Sequence, residues 1–407
     1  MNPATGSLSP ALQAAWSTAL NLPSSGSRHL ASDLIKNVLA MWRRLTKERD
    51  TGLQAYMDLA EARRAYLAYY FPVNVAKVLS LLAEMPEPTT GADGPIQRLD
   101  VLDVGCGPGT ATLAILDWSR SRPVLCNAKL EVTAVDASSH ALRECVRLWE
   151  AYCAGTAAGP VTLTTIRADV QRRKSRTDCS YGSKSYDLIV MANTLNELFL
   201  DQIDKIALRT TFVRRLLELL NAHGTLMIVE PALRETSRAL HLVRDAVLAA
   251  GGCNVYSPCL HERSCPALVK KDDWCHEERP WNPPDIVRSI DRQVGLIKDS
   301  LKFSYLLFRK DGRQIVPRAP GLYRVVSDLR QMKGEQRAWL CHEQGRPEVG
   351  RLDRERSPAN EPFDNWHRGA IVRIGNLPQA ELSGPMGRLA RIRKDTAVEL
   401  VRQIGKD

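Results

Sequence analysis

The chain has 407 residues, enough for about two to four domains and too many for a peptide scaffold held by disulfides. Apolar residues make up 44% and charged residues 25%, and no uninterrupted apolar run reaches the ~18 residues of a membrane helix, which argues for a soluble globular protein. Lys and Arg outnumber Asp and Glu by 56 to 46, and from Asp285 onward 24 basic side chains face 16 acidic ones, so the C-terminal end is the part suited to a polyanion such as nucleic acid.

The opening MNPATGSLSPALQAAW has neither a basic n-region nor a continuous apolar h-region, and the first basic residue is Arg28. A secretory leader and a basic organellar presequence are both disfavoured, which points to a bacterial-type cytoplasm. The ten cysteines then read as buried residues, metal ligands or catalysts before they read as disulfides.

Residues 1–31, rich in Ser, Ala and Pro, predict a flexible arm. Over 32–90 apolar residues recur at three and four, as in DLIKNVLAMWRRL and LAEARRAYLAYYFPVNVAKVLSLLAEM, which predicts a helical cap with Pro72 breaking its second stretch. The linker MPEPTTGADGPIQ ends it. From 97 to 310 short β-branched runs alternate with helical segments, as in an open α/β sheet. Seven strands are predicted, at LDVLDVG, LEVTAVD, VTLTTIRAD, YDLIVMAN, GTLMIVEP, CNVYS and FSYLLFRK. The insertion 258–284, crowded with Cys, His, Trp and Pro, predicts no regular element. Over 311–407 short runs separated by Gly and Pro predict a small basic β-barrel-like domain.

The segment VLDVGCGPGTATLAI is a buried strand, a glycine turn and a helix. Glycines let a backbone turn and approach a ligand, and the helix that follows offers free N–H groups. The spacing G-x-G-x-G departs from the dinucleotide fingerprint. It resembles the first motif of class I methyltransferases, which hold S-adenosylmethionine at this turn, and the motif carries over onto Asp103, Gly105, Gly107 and Gly109. Asp136, ending LEVTAVD, is placed to accept hydrogen bonds from ribose hydroxyls. In that superfamily Asp169 would meet the adenine edge and Asn193 the methionine end. A bare βα turn with helix-capping aspartates explains each residue singly, but not all four strand ends together.

Transfer chemistry is less determined. After the fourth strand the chain reads ANTLNELF, without the Asn/Asp-Pro-Pro-aromatic tetrad of base amino-methyltransferases or the Pro-Cys motif of cytosine-5 enzymes. Asn193, Asn196 and Glu197 are substrate-contact candidates that serve equally as helix caps. No catalytic residue is assigned.

Cys259, Cys265 and Cys275 are spaced C-x5-C-x9-C, with His261 and His276 between and beside them, and Cys341 follows 66 residues on. Such a cluster in a polar segment points to a metal. Paired knuckles favoured by zinc are missing, and long unequal gaps suit an iron–sulfur cube, although spacing leaves zinc open as the alternative.

LDVGCGPGT, ANTLNEL, IVEPA and PC-x5-CP-x7-WCH together resemble the methyltransferase-like family associated with mitochondrial small ribosomal subunits and its bacterial relatives, over about Asp33 to Arg356. The resemblance implies a seven-stranded class I methyltransferase (Rossmann-like) sheet, a 4Fe–4S cluster on Cys259, Cys265, Cys275 and Cys341, and a role with small-subunit ribosomal RNA during assembly. The expected protein is a monomer with no membrane partner. The alternative is an active S-adenosylmethionine-dependent rRNA methyltransferase, with Trp274, Trp281 or Phe199 stacking a flipped base. A radical enzyme is a weaker reading, because the C-x3-C-x2-C triplet is missing.

Overall fold

Four consecutive buried residues at the end of the strand Arg98–Val104 mark it as the centre of a sheet covered on both faces. The computed structural model describes residues 8–20, 32–47, 56–87, 96–156, 159–172, 184–375 and 389–404. Its chain divides into two units, one holding Met1–Val229 and Pro280–Leu301, the other Glu230–Arg279 and Lys302–Lys406.

In the first unit β1 (Arg98–Val104), β2 (Lys129–Asp136), β3 (Val161–Arg167), β4 (Tyr186–Ala192) and β5 (Leu220–Pro231) pair in the order β3-β2-β1-β4-β5, all parallel. The order reverses between β1 and β4. In open α/β sheets a ligand crevice opens there, beyond the carboxyl ends of the strands. At the edge β3 alternates in burial where the central strands do not.

Helices Thr110–Ser121, Ser139–Ala154 and Lys205–Leu219 connect these strands. The expected flexible arm is corrected over its described part. Pro10–Leu20 is a helix whose Leu12, Ala15, Trp16 and Ala19 are buried. Trp16 Nε1 donates to Leu67 O at 2.7 Å, and Ser9 Oγ donates to Asp117. Leu12 and Trp16 stand four apart, so the segment has an apolar face that its Ser/Ala/Pro composition hides.

Pro72 does not break the cap. Helix Ala60–Ala65 passes into a π-helical turn, Tyr66–Tyr70, and on into helix Phe71–Leu82, with Pro72 in the first turn, where no N–H is required of it. The run Ala60–Leu82 is long and apolar enough to cross a membrane by composition alone, and 83% of its most apolar window is buried inside the protein.

The second unit starts with helix Arg234–Ala249 and continues through β6 (Asn254–Ser257), β7 (Glu277–Pro280) and β8 (Ser300–Arg309), whose last eight residues lie in this unit. β6 runs antiparallel to β8, and β7 also pairs with β8. All seven expected strand segments are strands. β7 and the 3₁₀ turn Pro266–Leu268 correct the expectation that 258–284 holds no regular element.

The expected boundary at 310 is also corrected. The cysteine segment belongs with the C-terminal strands, because buried polar contacts join them: Arg324 pairs with Glu277 at 3.1 Å, and Arg324 Nη2 donates to Tyr305 Oη at 3.0 Å. Those strands are β9 (Leu322–Val325), β10 (Arg330–Met332), β11 (Glu335–Cys341), β12 (Glu348–Leu352), β13 (Ile371–Ile374), β14 (Ala390–Ile392) and β15 (Val398–Arg402). Their order is β14-β12-β11-β9-β13-β15 with β10 on β11, around a core that includes Val325, Leu340, Phe363 and Trp366. Among the described residues this path has two ends and does not close into the barrel expected.

Candidate functional site

The first unit carries its candidate site where β1, β2 and β4 end. Gly105 and Gly107 both have positive φ, 70° and 53°. A Cβ on Gly105 would lie 2.3 Å from Thr194 Cγ2, whereas one on Gly107 would meet nothing within 4 Å. Gly105 therefore lets the β1 turn close against the end of β4, and Gly107 faces open space. Gly109 stands as the cap of helix Thr110–Ser121.

Asp103 is buried, and its Oδ2 accepts from the N–H and hydroxyl of Thr112 at 2.9 and 2.7 Å. Its Oδ1 is buried and accepts no hydrogen bond among the described residues. Burial, and then the nearby Asp136 charge, raise the Asp103 carboxyl to about 7 against the pull of Thr112. Asp136 accepts from Gly107 N–H at 2.9 Å and from Ser138 N–H at 2.8 Å, so it ties the β1 turn to the β2 turn. Burial raises its pKa too.

Asn193 adopts the left-handed region, φ 59°, and its N–H donates to Val229 O at 2.7 Å. Thr194 Oγ1 donates to Gly105 O at 3.2 Å, closing the loop. Asp169 is engaged locally, accepting from Gln171 N–H at 3.0 Å and pairing with Arg172 at 2.9 Å. Buried Arg209 donates to Asn196 O and Leu198 O, which fixes the turn after β4.

Sequence reasoning missed the groups that the helical segment brings here. Asp58 Oδ1 accepts from Ser138 Oγ at 2.5 Å and lies 3.4 Å from His140 Nδ1. Tyr66 Oη is 3.2 Å from Thr110 Oγ1 and accepts from Asn74 Nδ2 at 3.2 Å. Burial pushes the Tyr56 phenol well up, with further contributions from Glu197, Tyr66, Asp136 and Tyr70, which places Tyr56 within electrostatic reach of β2's end and of the turn after β4. The run AYLAYYFP was the available signal, three tyrosines within five residues of a helix.

The second unit holds the four predicted thiols. Burial pushes Cys265 well above the usual thiol range, and Cys259, Cys275 and Cys341 add to it in that order. Burial likewise pushes Cys341 up to about 12, with contributions from Cys275 and Cys259, and Cys275 is raised by burial and by Cys259. All four thiols are thus within electrostatic reach of one another. Cys341 Sγ lies 4.0 Å from His261 Nε2. Among the described residues no group of three or more His, Cys, Asp or Glu side chains converges closely enough to hold a single metal ion.

Helix Arg234–Ala249 organises the cysteine segment. Arg238 donates to the carbonyls of Ala267, Leu268, Lys270 and Asp273. Fully buried Arg244 donates to Arg263 O at 2.8 Å and His261 O at 2.5 Å, and Asp245 Oδ2 accepts from Cys265 N–H at 2.8 Å. His241 Nε2 lies 3.1 Å from Cys275 O. The sequence signal was a polar stripe, Arg238, His241 and Asp245, beside the apolar Leu240, Val243 and Val247 of the same helix. Arg346 pairs with Asp273 at 2.6 Å and lies within electrostatic reach of Cys275 and Cys341.

The expected stacking aromatics are occupied with packing. The Trp274 indole donates to Ala232 O at 3.2 Å and stacks on His276, and the Trp281 indole donates to Lys298 O. Phe199 is half-buried at φ 57°.

A family model described as mitochondrial small ribosomal subunit Rsm22 matches residues 60–351. The chain belongs to the Rsm22 family. Solved structures with similar folds include the plantazolicin methyltransferase BpumL in complex with SAH, 12% identical over 68% of this chain and 96% of that one, at a TM-score of 0.34. The mitomycin 7-O-methyltransferase MmcR is 12% identical over 72% and 75%, at 0.35. Magnesium protoporphyrin IX methyltransferase from Synechocystis PCC 6803 is 13% identical over 67% and 98%, at 0.33. No curated protein matches the chain in sequence.

Proposed function

We propose that this Rsm22-family chain is an RNA-binding assembly factor of the small ribosomal subunit that binds S-adenosylmethionine in its first unit and holds a 4Fe–4S cluster in its second. The observation that carries the reading is the mutual electrostatic reach of Cys259, Cys265, Cys275 and Cys341, four thiols drawn from positions up to 82 apart in the chain.

Zinc would need its sulfurs about 3.8 Å apart, as Zn–S bonds of ~2.3 Å in a tetrahedron require. A 4Fe–4S cube would take one thiolate at each iron and so tolerates a wider set. Such a cluster with four thiolates is anionic, and Arg244 and Arg346 supply buried positive charge beside it. When bound, the cluster would serve as a structural crosslink, with Cys341 on β11 fastened to the segment that Arg238, Arg244 and Asp245 hold.

The cofactor reading is supported by the open side of Gly107, the unsatisfied Oδ1 of Asp103 and the Asp136 carboxylate at β2's end. The ribose hydroxyls would compete for Asp136, and a cationic methionine group would satisfy Asp103. RNA contact is assigned to the exposed Arg354, Arg393 and Lys394 of the second unit.

The test is an anaerobic iron and acid-labile sulfide assay with an absorbance spectrum of the purified chain. About four irons and four sulfides per chain with absorbance near ~400 nm is the expected result. A colourless preparation with stoichiometric zinc and no sulfide refutes the cluster. Labelled methyl transfer to small subunits from cells lacking the factor tests catalysis: incorporation of one methyl per subunit would favour the active rRNA methyltransferase over an assembly role alone.

A further inference from the structure

The helical segment places a group of phenols beside the glycine turn and the strand-end aspartates. Asp58 is clasped to Ser138 beyond β2, and Tyr66 to Thr110 beyond the glycine turn, so this segment is fastened across both ligand-facing loops. Tyr66 and Tyr70 stack with ring centroids 6.0 Å apart at 23°, and the buried Tyr70 hydroxyl has no hydrogen-bond partner among the described residues. Tyr56 opens the 3₁₀ turn Tyr56–Asp58, which the Asp58–Ser138 hydrogen bond anchors beyond β2, and it lies within electrostatic reach of Glu197, Tyr66, Asp136 and Tyr70.

We propose that Tyr56, Tyr66 and Tyr70 form an aromatic wall that makes this crevice select a cationic ligand, a sulfonium or an ammonium, over the neutral thioether left after methyl donation. The inference rests on the S-adenosylmethionine reading and names the charge state which that site prefers. Aromatic faces attract cations through the ring quadrupole, most strongly where water is excluded. Asp103, Asp136 and Glu197 act in the same direction, because their carboxylates lie within reach of the same phenols. Lys77 donates to Asn74 Oδ1 at 3.0 Å, and burial, then the Lys298 charge, pull its ammonium down to about 7, so this cation opposes the ligand less than an ordinary lysine would.

The consequence is directional. The charged methyl donor is held and the uncharged thioether is let go, so the site would be occupied by donor even where the thioether accumulates. A chain acting by binding rather than by turnover needs that discrimination as much as an enzyme does.

The experiment measures, by calorimetry on the purified full chain, binding of S-adenosylmethionine, of sinefungin, which carries an ammonium where the sulfonium stands, of S-adenosylhomocysteine and of adenosine. Both cationic ligands are expected to bind at least about tenfold more tightly than the thioether. Tyr56→Leu should weaken only the cationic pair, by about three- to thirtyfold, the range of one cation–π contact, and Tyr56→Phe should keep wild-type selectivity. Equal affinity of the wild type for donor and thioether overturns the proposal, as does a Tyr56→Leu loss that is uniform across all four ligands. Failure of all four, adenosine included, to bind the wild type removes the cofactor reading itself.

Discussion

At the scale of single residues, Asp103 is the group whose environment and whose intended role conflict most. It is 1% exposed, one oxygen is satisfied by Thr112, the other is not, and its pKa stands at about 7 rather than 3.8. Between those two pH values the folded chain retains a proton that the unfolded chain has released. Stability attributable to this group is therefore full below pH 3.8 and lost as pH rises through about 7, by an amount on the order of 4 kcal/mol. Asp103→Asn keeps an oxygen for Thr112 and removes the buried charge. It should raise the melting temperature at pH 8, by less at pH 5, and abolish S-adenosylmethionine binding by calorimetry. A variant that melts lower than wild type at both pH values would show that Asp103 is not held against its own charge.

At the scale of elements, what the sequence made legible was whatever repeats. The central strands are apolar runs buried on both faces, and their ends carried Asp103, Asp136 and Asn193 to the switch point in the expected order. β7 was not legible because its inward residues are Glu277 and Arg279, paired with each other, with Glu277 also paired to Arg324, so no apolar alternation exists to read. The Tyr56–Asp58 turn has no period at all, and the partners of Asp58, Ser138 and His140, are 80 and 82 residues on. That Cys341, 66 residues on, comes within electrostatic reach of the other thiols lies beyond any spacing rule. The element that makes it possible is helix Arg234–Ala249, whose Arg238 binds four carbonyls of the cysteine segment. Arg238→Ala leaves those carbonyls without their charged donor, and each such bond contributes about 1.5–3 kcal/mol at most, less where water replaces it. We expect urea denaturation to show a loss of about 2–4 kcal/mol. Amides over 266–273 should exchange faster, while those of β1 and β4 do not; unchanged exchange there would mean the segment is held by something other than this helix.

At the scale of the whole molecule, the positive surplus counted from the sequence overstates the surface left for a polyanion. In the second unit Arg330 and Arg337 pair with Glu348, Arg337 and Arg391 with Glu335, Arg351 and Arg356 with Asp364, and Arg373 with Glu399. Arg354, Arg393 and Lys394 are exposed, and among the described residues no acidic side chain forms an ion pair with them. Two turns bring them to one edge: Ser357 Oγ donates to Lys394 O at 2.6 Å, and Asn360 Nδ2 donates to both Arg393 O and Glu355 O at 2.9 Å. RNA affinity should therefore depend on these three far more than on the arginines already neutralised. Replacing all three by Ala should lower the slope of log K against log salt by about 2 on a single-stranded fragment of small-subunit RNA, near 0.7 per lost phosphate contact. Arg373→Ala, which removes an exposed but paired cation, should leave the slope within error. If the two variants lose slope equally, net charge rather than this edge governs the interaction, and the RNA-facing surface must be sought elsewhere on the chain.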